Sequence, residues 1–203
     1  MPSVSSLVLR TSRLELTAAE PALARAEANR DDGWYGRLGV PPPPAWPPPL
    51  NDARSVAWFA RSIEADPAGL GWYGWYVVST ESGRRVLIGN SGFKGRPDSR
   101  GSVEIGYSLL SEYQRKGFGT ELTAALVSWA FGHAAVARVM AETLPELVGS
   151  IRVLEKNGFE FVGRGSEPGI LLFELRRSVF DRRAAAGGAA ARGATARGSR
   201  GSR

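Results

Sequence analysis

The stretch Ser102-Val103-Glu104-Ile105-Gly106-Tyr107-Ser108-Leu109-Leu110, followed at once by Gln114-Arg115-Lys116-Gly117-Phe118-Gly119-Thr120, reads as a strand, a glycine-bearing loop and the start of an amphipathic helix. The order matters because the first backbone N–H groups of a helix have no intrahelical acceptor and the helix dipole is positive there. A pyrophosphate placed at that point receives several hydrogen bonds. Gly117 and Gly119 keep the backbone bare, while Arg115 and Lys116 add positive charge at the loop mouth. The spacing fits neither the dinucleotide-binding fingerprint Gly-x-Gly-x-x-Gly nor the P-loop Gly-x-x-x-x-Gly-Lys-[Ser/Thr]. The loop is therefore expected to hold a phosphate-bearing ligand of another kind.

Working outward, Val86 to Phe93 and Trp72 to Thr80 read as strands, joined by a turn at Ser82 and Gly83. Val8 to Leu16 is expected to be an opening strand. Thr17 and Glu20 form a capping-box pattern ahead of a first helix over 18–29, with Pro21 harmless in its first turn. A proline-rich run, Val40 to Leu50, separates this helix from a second one capped by Asn51 or Asp52. In that second helix Val56, Phe59, Ala60 and Ile63 fall on one face and are expected to form a buried stripe. Downstream lie a helix over 120–131, a strand from Arg138 to Thr143, a short helix from Ser150 to Lys156 ended by Asn157-Gly158, and two closing strands, Phe159 to Gly163 and Gly169 to Leu175. The whole predicts an α/β fold with a mixed, mostly antiparallel sheet flanked by helices.

Length and composition agree with one domain: 203 residues, 43% of them hydrophobic, suffice for one core. Six of the 26 basic residues fall within 182–203, which contains no acid, so residues 1–181 carry no formal net charge although the chain as a whole is at +6. Residues 1–181 are thus expected to be the folded domain and 182–203 a disordered tail of Arg, Gly and Ala, able to tether RNA or an acidic surface, or simply solvated. No apolar run is long enough for a membrane span and the start lacks the pattern of a signal peptide, which predicts a cytoplasmic protein. The absence of cysteine excludes disulfides, thiolate metal sites and an acyl-cysteine intermediate. His133, the single histidine, has no triad or metal-ligand partner at recognisable spacing, so no metal is expected.

The Gln114-Arg-x-Gly-x-Gly loop between strand and helix, together with Ser150-Ile-Arg-Val-Leu-Glu-Lys-Asn-Gly-Phe159, resembles the acyl-CoA loop and the following helix-turn of the GNAT superfamily of N-acyltransferases, closest to its ribosomal-protein N-terminal acetyltransferase branch. The resemblance spans most of 86–175. It implies a sheet whose central strands splay to admit the pantetheine arm, acetyl-CoA as co-substrate held by Gln114, Arg115, Lys116, Gly117, Phe118, Gly119 and Thr120, and backbone N–H groups at Leu109 and Leu110 that polarise the thioester. Direct attack by an amine needs a base, for which Glu104 and Glu142 are both candidates. The general-acid tyrosine usual in the family is replaced by Leu154, and its asparagine three residues before Ser150 by Leu147. Ser150 can donate toward the departing thiolate, cap its helix, or do both. Trp34, Tyr35 and Trp46, in the long irregular stretch that borders the acceptor site in the resembled family, are expected to form a lid or recognition wall. The acceptor is a primary amine, on a protein N-terminus or a small molecule. A non-catalytic acyl-CoA-binding module and an RNA- or ribosome-associated protein held by its basic tail stand as alternatives.

Overall fold

The structure, a computed structural model, describes residues 7–43 and 45–186. Eight strands form a single sheet in the order β1-β2-β3-β4-β5-β6-β8-β7. These are β1 (Val8–Arg10), β2 (Leu14–Ala18), β3 (Gly74–Ser79), β4 (Val86–Phe93), β5 (Ser102–Leu109), β6 (Arg138–Thr143), β7 (Glu160–Arg164) and β8 (Leu171–Arg176). All neighbours are antiparallel except β5 and β6, which α3 (Phe118–Phe131) connects as a crossover. The expected single opening strand is a hairpin instead. Thr11 turns the chain, its N–H donating to the Leu14 carbonyl at 2.9 Å, and a tight turn there lets both apolar segments join the sheet edge.

Two apolar layers cover opposite faces of the sheet. On one, Leu122, Leu126 and Phe118 of α3 pack against Leu16, Val77, Ile88, Phe93 and Ile105. On the other, α1 (Pro21–Ala28) and α2 (Ala53–Ala65) cover Tyr76, Val78 and Leu87. Helix α1 begins later than the capping-box pattern suggests: Ala18 still pairs with Trp75 in the sheet, and Glu20 stands at the N-cap without a side-chain capping bond. Sheet pairing outweighed the local capping signal. Asp52 does cap α2, its side chain accepting from the Ser55 N–H. The turn after α4 (Val148–Asn157) runs through Gly158 at φ 88, a left-handed position that suits glycine. Residues 177–186 are helical (α5), so regular structure continues through the first five residues of the stretch expected to be a tail; the rest of that expectation, 187–203, lies outside the described residues. No helix among the described residues is long and apolar enough to cross a membrane.

The ladder between β5 and β6 decides where a ligand can enter. It contains only Ser102↔Arg138, Val103↔Val139 and Glu104↔Met140. Beyond these pairs the strands part, while β5 stays paired with β4 as far as Gly89↔Leu109 and β6 with β8 as far as Thr143↔Leu171. The result is a V-shaped opening within the sheet, with the N-terminus of α3 at the end of β5.

Candidate active site

At the wide end of the opening, residues 114–117 lead into α3. Arg115 and Gly117 both have positive φ, 60 and 86, and this double left-handed turn brings Gly117 to the N-cap. Glu121 is the first residue whose N–H bonds back, to the Gly117 carbonyl at 3.1 Å, so the N–H groups of Phe118, Gly119 and Thr120 lie in the unpaired first turn. The Phe118 side chain is fully buried and can contribute only its backbone. Gln114 turns inward, its amide donating to the Leu109 carbonyl at 3.0 Å, and so ties the loop to the end of β5. The two motifs found in sequence meet here. A Cβ on Gly119 would stand 3.1 Å from Val153 of α4, and Asn157 of α4 donates to the Thr120 carbonyl at 3.3 Å.

The turn after β1 braces the same loop, a contact that local sequence patterns do not reveal. Arg13 donates to the Lys116 carbonyl at 3.1 Å, lies over the Phe118 ring and pairs with Glu121 at 2.7 Å. Burial pulls the Glu121 carboxyl up, but hydrogen bonds from Thr11, Arg13 and Ser12 outweigh it and hold the group below its ordinary range. With the folded pKa below the unfolded one, this stabilisation is present above the unfolded value and disappears as pH falls through the folded one. Glu121→Gln is therefore expected to cost about 1–2 kcal/mol near pH 7 and less as pH falls below about 4. Denaturant titrations of both proteins at several pH values would check this; a constant difference would contradict it.

Along the opening, the alternation of β5 sorts its backbone groups. Leu110 donates its N–H to the Ile88 carbonyl at 2.8 Å, so it belongs to the β4 side. Leu109, one residue earlier, faces the opening, consistent with its carbonyl accepting from Gln114 there. Of the two backbone donors expected at the thioester, one, Leu109, is turned toward the opening.

Tyr107 is a site residue that the sequence reading passed over. Its hydroxyl lies 3.0 Å from Ser150 Oγ and donates to the Ser150 carbonyl at 3.2 Å, bridging β5 and α4 across the opening. Burial pushes the phenol up to about 12, with the Ser150 contact acting in the opposite direction. Ser150 is not the N-cap of its helix: Leu147 is, and Ser150 lies one turn inside, where its hydroxyl is directed to Tyr107. Leu154, at the position of the family's tyrosine, is 0% exposed and belongs to the core under α3. The signal that could have found Tyr107 was its being the sole hydroxyl-bearing ring on the strand before the loop.

Glu104 and Glu142 lie on the same sheet face and both reach Lys94, Glu104 in direct contact and Glu142 at 3.9 Å. Glu142 is further held by the N–H and hydroxyl of Ser166 at 2.6 and 2.8 Å. Among the described residues no cluster of metal-ligating side chains occurs. His133 instead packs its ring on Trp72 and Trp129.

On the α1/α2 side of β5 lies a cavity of about 240 Å³. Gly74 and Gly106, matched in register through Gly92 on the strand between them, both line it. A Cβ at Gly106 would meet nothing within 4 Å. Its wall is the α2 stripe: Ala60 and Ile63 are buried as expected, but Val56 and Phe59 line the cavity. Its cover is the end of the proline-rich segment. The Pro49 carbonyl accepts from Ser108 Oγ at 2.6 Å, Asn51 accepts from Asn90 at 3.1 Å, and Leu50, 76% exposed, overhangs the mouth. The three aromatics expected as a wall lie behind it. Trp34 is 4% exposed and packs on Tyr35, Trp46 and Tyr76 in the second core, where the tilted rings bury one another. Trp46 reaches the cavity only through Glu27, donating to it at 2.7 Å.

Residues 8–160 match the family model for the acetyltransferase (GNAT) domain. Among curated proteins, the uncharacterized N-acetyltransferase YjdG of Bacillus subtilis (strain 168) is 28% identical over 153 residues, which is 75% of this chain and 89% of that protein. Among solved structures, the spermidine N-acetyltransferase from Vibrio cholerae in complex with CoA and spermine superposes with a TM-score of 0.59 at 17% identity, covering 84% of this chain and 99% of that one. The ribosomal-protein-S5-alanine acetyltransferase from Vibrio fischeri gives 0.57 at 18% identity, over 84% and 96%. At those identities the superpositions speak for the fold alone. The family match, the opening between β5 and β6 and the bare N-terminus of α3 agree: the chain belongs to the GNAT acetyltransferase family and is an N-acetyltransferase.

Proposed function

We propose that the protein transfers the acetyl group of acetyl-CoA directly to the primary amine of a small molecule. The observation that carries this reading is the cavity of about 240 Å³ beside Gly106, Tyr107 and Ser108, on the strand that borders the opening. It is smaller than the roughly 300–1,000 Å³ pockets that take drug-sized ligands. The cover formed by Pro49, Leu50 and Asn51 further favours a compact acceptor over a polypeptide N-terminus. Pyrophosphate is held at the first turn of α3 by Gly117, Phe118, Gly119 and Thr120 with Arg115 and Lys116 beside it, and the pantetheine arm lies between β5 and β6.

In this arrangement the Leu109 N–H polarises the thioester carbonyl. Glu104 sits two residues along β5 from Gly106, on the same face, and takes the amine proton through a water. Glu142, bound twice by Ser166, serves to position Lys94 and the β7–β8 connection. The amine nitrogen forms a bond to the carbonyl carbon, the carbon–sulfur bond breaks, and the proton lost by nitrogen ends on the CoA sulfur. Tyr107, with Ser150, supports the sulfur as it departs. A phenol at about 12 yields its proton to a thiolate whose acid is near 8.5 only at a cost of about 5 kcal/mol. Its part is accordingly a hydrogen bond to the developing charge rather than outright donation.

Single-turnover release of free CoA from acetyl-CoA, measured with a panel of small amines, tests the reading directly. Tyr107→Phe is expected to lower kcat by about 10- to 100-fold, the value of one hydrogen bond to a charged group, with acetyl-CoA affinity nearly unchanged. No amine-dependent release by the intact chain would overturn the function, and an unaltered kcat in the variant would remove Tyr107 from it.

A further inference from the structure

Glu27 lines the far end of the cavity from β5. It is the one charged residue among the lining side chains, and no cationic side chain among the described residues pairs with it. Its two oxygens are instead held by neutral donors, Oε1 by Trp46 Nε1 at 2.7 Å and Oε2 by the Tyr76 hydroxyl at 2.6 Å. These contacts fix the carboxylate in place without cancelling its charge, and each oxygen retains acceptor capacity. Burial raises the Glu27 carboxyl, with Tyr76 and Trp46 acting against that shift, as expected for a group lacking a counter-charge.

The position of Glu27 separates recognition from chemistry. Its partner Tyr76 is matched across β4 to Ser108 of β5 through Asn90, so the two lie two strand spacings apart, roughly 10 Å. A base acting on the reacting nitrogen must come within about 3 Å of it or act through a single water, and Glu27 lies beyond that range from the opening. Between the two ends α2 contributes Val56, Phe59, Ala60 and Ile63, which suit methylene groups, while the amide of Asn90 on the intervening strand is engaged by Asn51.

Resting on the acetyl-transfer reading above, we propose that Glu27 binds a second cationic group of the acceptor, and that the acceptor is a compact diamine. One nitrogen meets the thioester beside Gly106 and Ser108 while the other pairs with Glu27. A short alkyl spacer of a few methylenes then joins the two nitrogens.

The test compares diaminobutane and diaminohexane with butylamine and hexylamine, by calorimetric titration in the presence of CoA and by acetylation kinetics, for the intact chain and Glu27→Gln. Glutamine has the same size and can still bond to Trp46 and Tyr76. A diamine is expected to bind at least about tenfold more tightly than the monoamine of equal length, and the variant to abolish that difference while acetyl-CoA affinity stays within about twofold. Equal affinity for the two classes in the intact chain, or a preference that survives in Glu27→Gln, overturns the proposal. The comparison within the intact chain stands even if the variant fails to fold. If acetyl-CoA does not bind, the transferase reading fails, whereas diamine titration without the co-substrate still decides the role of Glu27.

Discussion

Exchange of Gly117 for glutamate is expected to raise the dissociation constant for acetyl-CoA by at least about 100-fold, since it weakens one or more charge-assisted bonds to the pyrophosphate worth about 1.5–3 kcal/mol each. Two effects act together. Gly117 has φ 86, where a residue with a Cβ is strained by about 1–2 kcal/mol, and the added carboxylate stands at the helix N-terminus that attracts the phosphates. Arg13 cannot readily neutralise it. Its Nη2 lies 3.2 Å from the added Cβ, yet the guanidinium is already engaged by Glu121 and the Lys116 carbonyl. Gly117→Ala isolates the strain and is expected to weaken binding by less than about tenfold. Calorimetry on the three proteins, with thermal melts to confirm folding, separates the contributions; a glutamate variant that binds acetyl-CoA like the parent would refute the phosphate assignment of this loop.

Exchange of Gly106 for valine is the complementary experiment, directed at the acceptor side. The position has ordinary backbone geometry and a Cβ there meets nothing within 4 Å, so the sheet should accept a β-branched residue without loss of stability. The isopropyl group then occupies part of a cavity of only about 240 Å³. The acceptor KM is expected to rise by about tenfold or more, the scale on which small steric changes in a tight pocket discriminate substrates, while acetyl-CoA affinity changes by less than about twofold. Steady-state kinetics with each substrate varied in turn gives both values. If the acceptor KM is unchanged, the acceptor does not bind in this cavity. Gly92 offers no equivalent test, because a Cβ there would stand 1.7 Å from the Tyr73 carbonyl.

The difference between these two glycines illustrates how far the chain could be read without its fold. The loop geometry at Gly117 and Gly119 was legible because it is a local arrangement: a strand, a short loop with glycines and a helix, all within some twenty residues. The sheet class was legible for a similar reason, since period-two strands and a crossover helix are written in neighbouring residues. The second motif was also local, with Asn157-Gly158 ending α4 as anticipated. Where local and nonlocal preferences competed, the sequence misled. Ala18 pairs with Trp75 instead of entering a helix, and Ser150 faces Tyr107 instead of capping its own helix.

The sequence by itself determined the strand–loop–helix proposed to receive the phosphates and the mixed sheet that carries it, because both follow from hydrogen-bonding needs satisfied between near neighbours. Only the tertiary structure decided the cavity on the α1/α2 face of β5. Strand register brings Gly74 and Gly106 to one cavity, the cover brings Pro49 onto Ser108, and the carboxylate cluster joins Glu27, Trp46 and Tyr76 from α1, the proline-rich segment and β3. None of these distances is encoded by spacing along the chain. They arise because burying two apolar layers against one twisted sheet selects a single register, and that register sets which remote polar groups meet.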